Sequence, residues 1–286
     1  LLYMPPILFF GNKIVYVRLM HVLVVLASVF FVYHISRMIV PGRLSLLPAV
    51  AYGLFFLDER IQGMCINGEP GMMLFVSAAT YFLLKSRVSG RPGFYLFLCG
   101  VSSGIAVLTK ATALFSITAF PAAMIIHEIR SDISNTKFLF KKILVFSLAG
   151  LLVFTATAAY FVFSGVFPEF WNAFYTVNQR YQAFTPIGDK VYLLMRYYGR
   201  MIESNVVVFL GSLAFMYLVL DLWRGKTDFH EYLITSLFVL SLVGANWGGL
   251  MLPHYFLQMG LAFALSIAVF LRNARIEKHG GGLLTL

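Results

Sequence analysis

The sequence predicts an all-α polytopic membrane protein, a transmembrane helical bundle of about nine spans with amphipathic helices lying along one membrane surface. Three observations predict it. Hydrophobic residues make up 60% of the 286 and charged residues only 12%, where a soluble domain holds about 45–50% and about 25%. Nine apolar runs follow one another, near 14–36, 44–57, 70–84, 93–108, 111–127, 143–164, 205–222, 231–250 and 255–271. Lys and Arg collect in alternate connections between those runs. So few charges cannot cover so much apolar surface in water, and lipid must serve as the solvent.

The first run is long enough to cross a bilayer, which takes about 20 residues. His21, Ser28 and His34 within it read as polar contacts inside the bundle. The runs at 44–57 and 70–84 are short for a crossing, so they are expected to be broken or buried among other helices, where irregular backbone is tolerated. Between them lie Asp58-Glu59-Arg60 and Asn67-Gly68-Glu69-Pro70. Glu69 and Pro70 suit the first turn of a helix, the one for the dipole and the other for its fixed φ. The runs at 93–108 and 111–127 are parted only by the tight hairpin Leu108-Thr109-Lys110-Ala111. Four further runs complete the set.

The basic residues orient the bundle. Arg37, Arg43, Lys85, Arg87, Arg91, Arg130, Lys137, Lys141, Lys142, Arg224, Lys226, Arg272, Arg275 and Lys278 fall in alternate connections and are fourteen of the 22. Cytoplasmic loops are enriched in such residues, so the first residue is placed outside and the last inside. Lys13, Arg18, Arg60 and Lys110 stand on the other side, and Arg180, Lys190, Arg196 and Arg200 share one long external segment. The chain opens on Leu1 without a signal-peptide pattern and reads as a piece of a longer protein. Its net charge of +10 is spread between apolar runs, not gathered into a patch, which excludes nucleic acid as a partner. Cys65 and Cys99 make no disulfide framework, and the six histidines lack metal-ligand spacing.

The long external segment divides the chain into a transmembrane part at 1–164, an external amphipathic part at 165–204, and a second transmembrane part with a cytoplasmic tail at 205–286. Pro168 opens a helix in which Phe170, Phe174, Val177, Tyr181 and Phe184 recur at helical spacing. Thr185-Pro186-Ile187-Gly188 is a turn. A second helix then carries Val191, Leu194, Met195, Tyr198, Met201 and Ile202 on one face, and Asp189, Tyr192, Arg196, Arg200 and Glu203 on the other. Two helices lying along the outer membrane surface fit this pattern.

Chemistry is sought among the polar residues at the external ends. Asp58, Glu59 and Glu69 are carboxylates beside the bilayer, which would bind a divalent cation or serve as a base raised by a less polar setting; the structural alternative is a solvated acidic loop. Lys110 has no loop to escape into, so it must snorkel, pair, or face a wet cavity. His254 and Tyr255, after Asn246-Trp247-Gly248-Gly249, place imidazole and phenol at the mouth of the last span, where they would hydrogen-bond a phosphate or a sugar hydroxyl. Trp247 and Tyr255 alone would be interface anchors. Arg180, Arg196 and Arg200 suit phosphate through paired donors, or bulk lipid headgroups.

With these residues in place, the order of features resembles the C-type membrane glycosyltransferases, in particular the bacterial relatives of protein O-mannosyltransferases and of aminoarabinose lipid A transferases. Pro5-Pro6-Ile7-Leu8 with Val17-Arg18-Leu19 is similar to the stretch entering their second span. Leu108-Thr109-Lys110 is similar to their LTK hairpin, Pro253-His254-Tyr255-Phe256-Leu257-Gln258 to their PHYFLQ segment, and Pro168-Glu169-Phe170-Trp171 to the start of their large external region. The resemblance implies transfer of a sugar from a polyprenyl-phosphate donor to a protein, lipid or glycan acceptor. It implies an integral protein of a bacterial inner (plasma) membrane, with the site on the external side. It also implies a principal acidic residue in a loop preceding Leu1, with Glu69 as a second acidic candidate and Lys110 and His254 as contacts to the carrier phosphate. Asn67-Gly68-Glu69-Pro70 stands where the family has a threonine–acid pair. A transporter or flippase of a lipid-linked or anionic solute is the rival reading, though two related halves are not visible.

Overall fold

The computed structural model describes residues 7–9, 13–65, 67–130, 136–183, 186–225, 228–248 and 252–279, and among them every regular element is a helix. Among the described residues, each of the nine apolar runs is helical over most of its length. Among the described residues, six helical segments are long and apolar enough to cross a membrane: Ile14–Ile39, Pro92–Thr109, Ala113–Arg130, Thr136–Phe163, Val206–Trp223 and Pro253–Ala274. Gly42–Leu57 is apolar but shorter. Gly68–Val88 has the length of a span but carries Glu69, Lys85 and Arg87, and Phe229–Trp247 carries His230 and Glu231.

In chain order the helices are α1 (Ile14–Ile39), α2 (Leu46–Leu57), α3 (Gly68–Val88), α4 (Pro92–Thr109), α5 (Ala113–Arg130) and α6 (Thr136–Phe163). The segment after α6 holds α7 (Phe167–Trp171), a π-helical turn (Asn172–Thr176), α8 (Val177–Ala183) and α9 (Ile187–Ser204). Then come α10 (Val206–Trp223), α11 (Phe229–Trp247), a 3₁₀ segment (Pro253–Met259) and α12 (Gly260–His279).

Burial singles out three helices, and of these only α2 is short; the run at 70–84 lies within a 21-residue helix and is buried without being short. In α2, Tyr52, Phe55 and Phe56 are fully buried, and α3 buries Met72, Met73 and Ala79 completely. Leu261, Ala262, Phe263, Ala264 and Leu265 make α12 the centre of the bundle. In α6, by contrast, only Phe146 and Ala149 are buried. A helix apolar on all sides with one packed stripe is lipid-facing. That stripe meets α4 at very short range: a Cβ on Gly100 would sit 2.2 Å from the Phe146 carbonyl oxygen, and one on Gly104 would sit 2.8 Å from that of Gly150. Lipid tails are as apolar as Leu, so close backbone packing through small residues, not water exclusion, holds such helices together.

At one end of the bundle, ionic contacts join the basic connections. Arg272 pairs with Asp228 at 2.8 Å and also with Glu231, Asn273 donates to Asp221 at 2.9 Å, and the Arg87 guanidinium lies 4.0 Å over the Phe229 ring. Asp228 and Glu231 close a capping box at the start of α11. The segment holding α7, α8 and α9 lies at the other end. Phe170 stacks on Phe161 at 4.7 Å and on Phe174 at 5.8 Å, pinning α7 and the π turn to the end of α6. In α9, Leu194, Tyr198, Met201 and Ile202 pack inward, with the Tyr198 hydroxyl bonded to Ser212 at 2.8 Å. Asp189, Tyr192, Arg196, Arg200 and Glu203 are exposed, as their spacing predicts.

Val191 and Met195, on the apolar face, are 56% and 70% exposed. With Ile187 they form an i, i+4, i+8 stripe beside the packed line, so the apolar face is wider than the bundle can cover and its remainder is left for lipid. Pro5, Pro6, Phe184, Thr185, Lys226 and Gly249 lie outside the described residues, as do the side chains of Tyr181, Arg275 and Lys278.

Candidate active site

Between α2 and α3 the chain makes a tightly constrained loop. Asp58 accepts from the Arg60 amide at 2.8 Å and starts a 3₁₀ turn over Glu59–Ile61. Gln62 follows with φ at 57°, the left-handed region, which side chains other than Gly adopt only at a cost. Gly63 has no alternative, because a Cβ there would lie 2.3 Å from the Phe56 carbonyl oxygen. The Gly63 carbonyl accepts from His21 Nε2 at 2.9 Å. The loop is tied to the α9–α10 junction as well: Asn205 Nδ2 donates to Asp58, and Arg60 donates to the Ser204 carbonyl. Asn205 Oδ1 meanwhile caps α10, accepting from Val207 at 2.9 Å and Val208 at 3.0 Å.

This anchoring sets the start of α3, where Glu69 is 1% exposed and sits in the helix's positive first turn. Lys110 caps α4 with extended backbone, φ −156° and ψ 124°, so the chain reverses at once into α5. Its Nζ donates to Glu69 Oε1 and lies 4.3 Å over the Tyr255 ring. The 3₁₀ segment at Pro253 brings His254 into the same cluster, with Nε2 3.8 Å from Glu69 Oε1 and Nδ1 3.1 Å from Gln62 Oε1. Glu69 Oε2 is buried and makes no hydrogen bond among the described residues. Burial lowers the Lys110 pKa to about 8; the Glu69 carboxylate beside it acts the other way and favours the ammonium.

The cluster stands at the edge of a cleft of about 1190 Å³. Lys110, Thr109, Asn67 and Glu169 give it polar points, while Met20, Phe75, Leu108, Val153, Phe161 and Phe174 give it greasy walls. A half-buried cation at the rim of an apolar groove suits a ligand with an anionic head and a lipid body.

Glu69, Lys110, His254 and Tyr255 are thus brought together from three separate stretches of sequence. Asp58, Glu59 and Glu69 do not form the expected cation site: among the described residues no group of three or more His, Cys, Asp and Glu side chains gathers to hold a metal. Asp58 is turned into the Asn205 contact instead, and Glu59 is exposed. Arg180, Arg196 and Arg200 are exposed on α8 and α9, and among the described residues they make no bond to the cluster. Sequence reading missed Gln62, Asn205 and Glu169. Asn205, a side-chain oxygen immediately before an apolar run, carried a cap signal; Gln62 carried none.

The family model described as dolichyl-phosphate-mannose-protein mannosyltransferase matches residues 7–160. Searches of curated proteins and of solved structures gave no match. The matched stretch contains Glu69 and Lys110 and stops short of His254, Tyr255 and all of α7, α8 and α9.

Proposed function

Because the chain belongs to the dolichyl-phosphate-mannose-protein mannosyltransferase family, a family of membrane glycosyltransferases, we propose that it moves a sugar from a polyprenyl-phosphate donor to a protein, lipid or glycan acceptor at the external membrane face. The observation that carries this reading is the position of Lys110, paired with Glu69 at the rim of an apolar cleft and touching the Tyr255 ring. The donor is a phosphodiester on a hydrocarbon chain. Its tail enters between α1, α3, α4, α6 and the π turn, and its phosphate comes to the Lys110 ammonium.

The reaction is a displacement at the anomeric carbon in which the carrier leaves as a lipid phosphate. Negative charge grows on that leaving group, and a fixed cation in a poorly hydrated place stabilises it more than water does. Glu69 keeps Lys110 charged and aimed before the donor arrives, and Tyr255 screens the ammonium from solvent. His254 faces the same spot from the opposite element. Arg180, Arg196 and Arg200, on the exposed side of the external helices, meet lipid headgroups and guide the anionic donor toward the cleft.

The test is transfer itself. Full-length protein in membranes, given radiolabelled polyprenyl-phosphate mannose, is expected to move label to membrane acceptors, and Lys110→Ala to lose that transfer by about 100-fold or more. Unchanged transfer in Lys110→Ala would overturn the site, and uptake of intact donor without sugar transfer would favour a transporter.

A further inference from the structure

Gln62 is the residue in the site with no ordinary reason to be what it is. Its backbone is left-handed, φ 57°, where Gly would fit without cost and any other residue is strained by about 1 kcal/mol. The side chain itself must therefore be what this position requires. That side chain reaches His254 and presents Oε1 to Nδ1 at 3.1 Å. The loop holding it is fixed on three sides, by the Gly63 carbonyl on His21, by Asp58 on Asn205 and by Arg60 on Ser204.

We infer that Gln62 is a positioning residue that holds His254 in the Nδ1–H tautomer, so that the imidazole meets substrate through Nε2 as a hydrogen-bond acceptor rather than as a donor to phosphate. An amide oxygen accepts only, so Nδ1 carries the hydrogen, and neutral imidazole then has a bare Nε2. That nitrogen points at Glu69 Oε1 across 3.8 Å, beyond a direct hydrogen bond. Glu69 Oε1 already accepts from Lys110, so Nε2 is left to accept from a substrate hydroxyl.

The inference rests on the proposed transferase reading and gives His254 a role within it. An acceptor hydroxyl beside Nε2 donates a hydrogen bond to the imidazole and is held with its oxygen toward the sugar. Phosphate recognition falls to Lys110, and orientation of the acceptor hydroxyl falls to His254, itself oriented by Gln62.

Three substitutions at Gln62 separate the side chain's role from the loop's. Gln62→Gly relieves the backbone and removes the amide, Gln62→Met keeps the length without an acceptor, and Gln62→Glu keeps an acceptor oxygen. With radiolabelled polyprenyl-phosphate mannose and full-length protein in membranes, Gly and Met should lower kcat by about 10- to 100-fold at unchanged donor KM, and Glu should restore it to within about threefold. Melting temperature should not fall in Gln62→Gly. Wild-type kcat in Gly or Met, or equal loss in Glu and Met, would overturn the inference. His254→Ala distinguishes the two failures: if it is slow while the Gln62 variants are normal, only the positioning role falls, and if it too is normal, the site reading falls with it.

Discussion

Lys110 and Glu69 stand 41 residues apart in sequence and meet as an ion pair, the carboxylate 1% and the lysine 23% exposed. The lysine ends α4 and the glutamate begins α3, so the pair ties two neighbouring helices at the same end of the bundle. A carboxylate this deeply buried depends on its partner.

Removing one member therefore costs more than removing both. Lys110→Ala leaves an uncompensated buried charge and should destabilise by about 3 kcal/mol. Lys110→Met with Glu69→Gln, which removes both charges, should recover most of that loss and none of the transfer. Thermal unfolding in detergent beside the transfer assay checks it: a double variant as unstable as the single one would contradict the pairing.

The legible part of this architecture was the part that lipid dictates. Apolar runs and alternating basic connections determine where helices lie, and the tight Leu108-Thr109-Lys110-Ala111 hairpin left Lys110 to snorkel, pair or face a wet cavity. Glu69 and His254 were legible as polar residues at helix ends, since such residues have few innocuous uses beside a bilayer. What joins them was not legible. The contact between Gln62 and His254 spans 192 residues, and no periodicity encodes it. Nor does spacing reveal that Asp58 is committed to Asn205, because that depends on how α9 and α10 return to the loop.

Donor binding should depend on pH through Lys110. Burial holds its pKa near 8, so the ammonium is present below that value and lost above it. Affinity for a polyprenyl phosphate should weaken as pH rises through about 8 and beyond, the neighbouring carboxylate delaying the loss. Titrating product-lipid binding from pH 6.5 to 9.5 checks the sign, and tighter binding at high pH would contradict it.

The α4–α6 contact allows no side chain at Gly100. Gly100→Leu drives a branched side chain into the Phe146 carbonyl, where even a Cβ would stand at 2.2 Å. A loss of about 3 kcal/mol is expected, with transfer reduced because α4 carries Lys110. Gly90, with open space around it, should accept Ala at little cost. Equal behaviour of the two variants in thermal unfolding would dismiss the packing argument.

Cys65 provides a test of sidedness. It is exposed in the loop leading to Glu69, while Cys99 is buried. A membrane-impermeant maleimide added to intact cells should label the protein, and Cys65→Ser should abolish labelling. Labelling only after permeabilisation would put the site on the cytoplasmic face.

The most direct test of the central claim is to ask where the lipid phosphate sits. A polyprenyl phosphate carrying a photoreactive group beside its phosphate, irradiated with the full-length protein in membranes, should crosslink to peptides containing Lys110 or residues of the 253–259 segment, and excess unlabelled donor should suppress it. Crosslinks confined to the exposed face of α9, or unaffected by competing donor, would contradict the claim that the Lys110–Glu69 pair receives the carrier's headgroup.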